Sequence, residues 1–121
     1  MRYTETHEWL DIDDDGIVTV GVTAHAAGEL GAITFIDLPE VGQTITAEDE
    51  VAVIEADSDA REVLAPCDGE VVESNDSLAE DPGALGDDPE GGGWLFRMEI
   101  EDVDALEDLM TDAEYRSFVR S

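Results

Sequence analysis

The chain contains no lysine. Its five basic residues are Arg2, Arg61, Arg97, Arg116 and Arg120. No side-chain primary amine is therefore available for acylation. There is one cysteine, Cys67, so no internal disulfide can form, which agrees with a reducing cytosol. There are two histidines, His7 and His25, and no Ser-His-Asp or metal-ligand spacing accompanies them. The sequence predicts no catalytic residues and no metal site. No apolar run approaches the length of a membrane span, and the amino terminus does not read as a signal peptide. Nucleic acid and anionic membrane surfaces would repel a net charge of −28. The expectation is a soluble, cytoplasmic protein with neither as a partner.

Acid is what the chain has in place of base: 33 Asp and Glu against 5 Arg. Such acidity fits either a folded protein of a very salty cytoplasm or one that recruits a basic partner. The acids are spread along the chain rather than blocked at one end, which favours the halophilic reading. Disorder is the third possibility. An apolar content of 42% and clear strand periodicity argue against it. A length of 121 residues fits a single domain over 1–121.

Most of the chain alternates with period two, the signature of strands. An initial strand is expected within Met1–Leu10, then a turn at Asp11–Gly16. That turn lacks the ligand spacing of a calcium loop. Val18, Val20 and Val22 mark a second strand, and Thr23 can cap a short helix over Ala24–Leu30, with Gly31 just past its end. His25, on that helix, reads as a surface residue. Ala32–Leu38 is apolar in both registers and predicts a strand buried on both sides. Thr44–Thr46 is a short strand. In 75–93, Leu78, Ala79, Ala84 and Leu85 can anchor short helical turns, and Trp94–Ile100 alternates strongly. The segment 102–120 reads as a helical pair, with a capping box at Thr111–Glu114 and a buried stripe of Tyr115, Phe118 and Val119.

The organising stretch is Val51–Val71. Two alternating runs flank a tip over 56–61 that carries no large apolar side chain: a hairpin whose tip faces water or a partner. Arg61 is expected to pair with Glu55 or Glu62 across the strands, and Cys67 to be an inert thiol. Asp76-Ser77-Leu78 matches the short motif at which acyl carriers take phosphopantetheine, but those are helical bundles and this chain is mainly strand. A phosphate loop at Gly91–Gly93 lacks its lysine and following helix.

Tyr3-Thr4-Glu5-Thr6-His7-Glu8-Trp9, the run Leu30–Gly42, Ala65-Pro66, Gly69–Asn75 and Asp88–Leu95 follow one another across nearly the whole chain. In sequence and in order these segments resemble the glycine cleavage H-protein family. The resemblance implies a flattened lipoyl/biotinyl-type barrel, mainly β (α+β), of two antiparallel sheets with C-terminal helices. It also implies an aminomethyl carrier bearing lipoate on a hairpin lysine. Partners would be the decarboxylating dehydrogenase, the aminomethyltransferase and the dihydrolipoyl dehydrogenase, or lipoate-handling enzymes. The family's lysine lies three residues after the glutamate and eight before the proline, and both counts land on Ser58. A second departure is Ala32, where the family has aspartate beside the cleft for the swinging arm. The expectation is an unmodified Ser58, no cofactor, and a degenerate, non-enzymatic H protein acting as a protein-binding module. The alternatives are a carrier with an unrecognised attachment and a scaffold that reuses the fold for an unrelated partner.

Overall fold

A computed structural model describes residues 2–13, 15–30, 32–57, 59–100, 103–107 and 109–120. Among the described residues nine strands, β1 (Arg2–Tyr3), β2 (Glu8–Ile12), β3 (Ile17–Val22), β4 (Ile33–Asp37), β5 (Thr44–Ile45), β6 (Glu50–Ala56), β7 (Ala60–Leu64), β8 (Gly69–Ser74) and β9 (Phe96–Glu99), form two sheets. One sheet has six strands in the order β1-β2-β3-β9-β8-β5, the other three in the order β4-β6-β7. Every pairing is antiparallel. The described residues also form four α-helices, α1 (Ala24–Leu30), α2 (Asp76–Glu80), α3 (Gly83–Asp87) and α4 (Asp112–Arg120), and a 3-10 turn at Val103–Leu106.

The core lies between the sheets. Val18, Val20 and Val22 of β3 are fully buried and share one cluster with Ile36 and Ile54 of the small sheet and Phe96 and Met98 of β9. Each such side chain contributes about 1.5–3 kcal/mol on burial, so the β3 valines alone hold the centre of the large sheet. Leu78 and Leu85 bring α2 and α3 onto this core. Thr23 caps α1 as its position predicts, its Oγ1 accepting from the Ala26 amide at 3.3 Å. The capping box of α4 forms in both directions: Thr111 N–H donates to Glu114 Oε1 at 3.0 Å, and Glu114 N–H to Thr111 Oγ1 at 3.3 Å.

Several expectations are corrected. The initial strand is two strands, β1 and β2, separated by a turn in which His7 takes φ 67°. Glu8, Trp9 and Leu10 are then buried in succession, because Trp9, on the opposite face from Leu10, is covered by a second cluster with Tyr3 and Tyr115. β4 is covered on one face only: Ile36 is buried while Phe35 is half exposed, because its register sets Phe35 beside exposed Glu55 on the outer face of the small sheet. β9 begins at Phe96, two residues later than its alternation suggests. The C-terminal segment is a 3-10 turn and one helix rather than a helical pair. Between them Met110 bridges Tyr3 in antiparallel fashion. On α4, Tyr115 is buried but Phe118 is 40% exposed. Gly31 lies outside the described residues.

Candidate functional site

The hairpin forms where the alternation places it. Glu55 pairs with Ala60, Ile54 with Arg61 and Val53 with Glu62. At the tip the Ala56 amide donates to the Asp59 carbonyl at 2.8 Å, closing the turn, and the Ala60 amide donates to Asp59 Oδ1 at 2.8 Å. The Asp57 amide donates to the Ala32 carbonyl at 3.1 Å, tying the tip to the segment after α1. Asp57 and Asp59 are exposed. Ser58, the predicted site residue, lies outside the described residues.

Arg61 does not pair with Glu55 or Glu62. Its strand register puts it on the face of Ile54, not on the acidic outer face, and its Nη2 donates to the Thr6 carbonyl in the β1–β2 turn. Beneath that turn lies Glu8, 1% exposed. Its Oε1 accepts from Thr6 Oγ1 at 2.6 Å and from Thr4 Oγ1 at 3.1 Å. Its Oε2 has no hydrogen-bond partner, and neither has Arg61 Nε. Burial raises the Glu8 pKa, and the two hydroxyl donors and the Arg61 charge oppose that rise.

Beside this pair stands an aromatic cluster. His7 Nδ1 is 2.7 Å from Tyr115 Oη, which is 2.7 Å from Thr23 Oγ1. The Tyr3 and Tyr115 rings stack at 4.6 Å, and the His7 and His25 rings lie 4.8 Å apart. Burial lowers the His7 pKa, and the charges of Arg61 and His25 lower it further against the pull of Glu29. Burial raises the Tyr115 hydroxyl, and burial with nearby Glu90 and Asp112 pushes Tyr3 up to about 12. Both phenols are protonated at neutral pH, so they serve as hydrogen-bonding groups.

Sequence reading found the hairpin but not what it meets. It left His25 at the surface, where its side chain does pair with Glu29 at 2.6 Å, yet missed the approach of His7. It gave Glu8 no role. The one available signal was the Thr-x-Thr-x-Glu spacing of Thr4, Thr6 and Glu8, which can set two hydroxyl donors around one carboxylate. Cys67 is buried. Among the described residues, no group of three or more His, Cys, Asp or Glu is placed to hold a metal ion. No helix among them is long and apolar enough to cross a membrane.

Two antiparallel sheets enclosing one core and presenting a hairpin tip define a lipoyl-type barrel. Within that class the match is specific: the profile of the family described as Glycine cleavage H-protein covers residues 1–121, and the chain belongs to that family. It is 44% identical over 117 residues to the glycine cleavage system H protein of Psychrobacter sp. (strain PRwf-1), covering 97% of this chain and 93% of that protein. To the glycine cleavage system H protein of Thermotoga maritima it is 46% identical over 117 residues, covering 97% and 94%. The crystal structure of a glycine cleavage system H protein from Mycobacterium marinum superposes with a TM-score of 0.89 at 35% identity, covering 98% of this chain and 95% of that one.

Proposed function

We propose that this H protein carries no lipoate and acts as a protein-binding module without a catalytic site of its own. It would dock on the glycine cleavage enzymes, or on lipoate-handling enzymes, through the hairpin end of the barrel. The reading is carried by one observation: the position that the family spacing assigns to the attachment lysine is Ser58, in a chain with no lysine at all. An amide-linked lipoyl group needs a primary amine on a long stem. The described tip offers Ala56, Asp57, Asp59 and Ala60, which do not fit it. A tip with no apolar anchor and two exposed carboxylates suits a basic partner surface instead.

Two experiments test this. The intact mass of the protein purified from its native cell should equal the bare chain, with or without Met1. A mass higher by a lipoyl or pantetheine group overturns the reading. Peptide mapping at Ser58, Ser77 and Cys67 then locates the attachment. Pull-down in molar salt should recover glycine cleavage or lipoate-handling subunits. Recovery of neither, with an unrelated protein captured instead, assigns the barrel to a different role.

A further inference from the structure

Arg61 stands on the inner face of the small sheet, where it is partly buried. Ile36 pairs with Ile54, and Ile54 pairs with Arg61, so the three form one row across the small sheet. Directly paired residues of a sheet share a face. Ile36 and Ile54 are 2% and 0% exposed, so the arginine stem starts from the inner face. The guanidinium Nε is buried there, and desolvating it has a cost that the contacts of its charge and remaining donors have to offset. Packing alone would be met by an aliphatic side chain.

The contacts lead to the other sheet. The hairpin belongs to the β4-β6-β7 ladder, whereas the β1–β2 turn belongs to the six-stranded ladder. Arg61 Nη2 crosses between them to the Thr6 carbonyl. Buried Glu8, itself held by Thr4 and Thr6, feels the Arg61 charge, as does His7. One buried donor, Arg61 Nε, and one buried acceptor, Glu8 Oε2, stand without partners at this junction. The Arg61 charge opposes part of the rise that burial imposes on the Glu8 carboxyl. At the tip, the Asp57–Ala32 backbone bond is a second tie.

We propose that Arg61 is a latch, a positioning residue whose guanidinium clasps the hairpin to the Thr6–Glu8 turn and fixes the direction in which the tip is presented. A partner would then meet Asp57 and Asp59 in a preset arrangement, and binding would be spared the entropy of ordering a loose hairpin end. The latch is independent of whether the tip docks on glycine cleavage enzymes, since its evidence is internal to the fold.

The test is amide hydrogen exchange in molar KCl on the full chain, comparing the parent with Arg61→Met and Arg61→Lys. Methionine keeps much of the apolar stem and removes the donors and the charge. Lysine keeps the charge but not the planar fork. In Arg61→Met the amides of Ala56, Asp57 and Ala60 should exchange at least about tenfold faster than in the parent, and by a larger factor than those of β3. Arg61→Lys should fall between. The His7 imidazole should titrate higher in Arg61→Met, followed by NMR. Tip amides unchanged in Arg61→Met, or tip and β3 amides accelerated by the same factor, overturn the latch. Should Arg61→Met fail to fold, Arg61→Lys carries the same comparison with the same two overturning results.

Discussion

The imidazole rings of His7 and His25 lie 4.8 Å apart, one in the β1–β2 turn and the other on α1. Neither faces the other alone. His7 also meets Arg61 from β7, Tyr115 and Phe118 from α4, and Glu29 from α1. Burial is the largest cause of its lowered pKa, with Arg61 and His25 next. The folded state therefore binds a proton at His7 less readily than the unfolded chain. Stability from this group is present above the unfolded value of about 6.5 and falls as the pH drops from there towards the folded pKa. Chemical denaturation between pH 7.5 and 5 should show that fall, and His7→Gln should reduce it. Glu8 acts in the opposite sense in a lower window. Its raised pKa favours the fold most below about 4.3, and the benefit is lost as pH rises through the folded value. Glu8→Gln should remove that component while leaving the His7 window in place.

Tyr115 Oη joins His7 and the fully buried Thr23. Tyr115→Phe keeps the stack on Tyr3 but strands the Thr23 hydroxyl on that side. The expected loss is about 1–3 kcal/mol, read as a lower denaturation midpoint at unchanged slope.

Gly21 lies in β3 opposite Trp9 of β2. A Cβ added there would stand 2.6 Å from the indole ring, which is pinned by its Nε1–H donating to the Pro89 carbonyl at 2.9 Å. Gly21→Ala should destabilise by about 1–3 kcal/mol, because the ring has to move and give up that bond. Near-ultraviolet circular dichroism should report the displaced tryptophan.

The acids outnumber the arginines 33 to 5, and arginine is committed locally, as in Arg97–Glu73 at 2.8 Å and Arg116–Asp112 at 2.6 Å. Most carboxylates are left to repel one another until salt screens them, over about 3 Å at 1 M. The far-ultraviolet circular dichroism spectrum should lose structure in dilute buffer and recover it in molar KCl. A spectrum identical in both would sink the halophilic reading.

What was legible in the sequence was local. The β3 alternation, the Thr23 cap, the Thr111–Glu114 box and the β6–β7 hairpin all rest on residues a few positions apart, and each stands where its pattern puts it. What was not legible depends on which strands become neighbours. Phe35 reads as core until the β4–β6 register sets it beside exposed Glu55 on the outer face. Arg61 reads as a surface partner of Glu55 or Glu62 until its register sets it beside Ile54. Glu8 reads as a solvated acid until the β2–β3 register sets it opposite buried Val22, on the same face as Leu10. The site lies where segments distant in sequence converge, and no periodicity encodes that convergence.

The two sheets differ in how far along the chain their strands are drawn. The β4-β6-β7 sheet is complete within residues 33–64, whereas β3 finds its neighbour in β9, and Tyr3 finds Met110 and Tyr115. On a ribosome, synthesis runs from the amino terminus. The hairpin sheet can pair while the β1–β3 strands still wait for their partner, and the Tyr3–Tyr115 stack closes only when the last helix has emerged. The nascent chain thus holds an unpaired β3 edge until β9 emerges, with the aspartates of the preceding turn discouraging pairing with other chains.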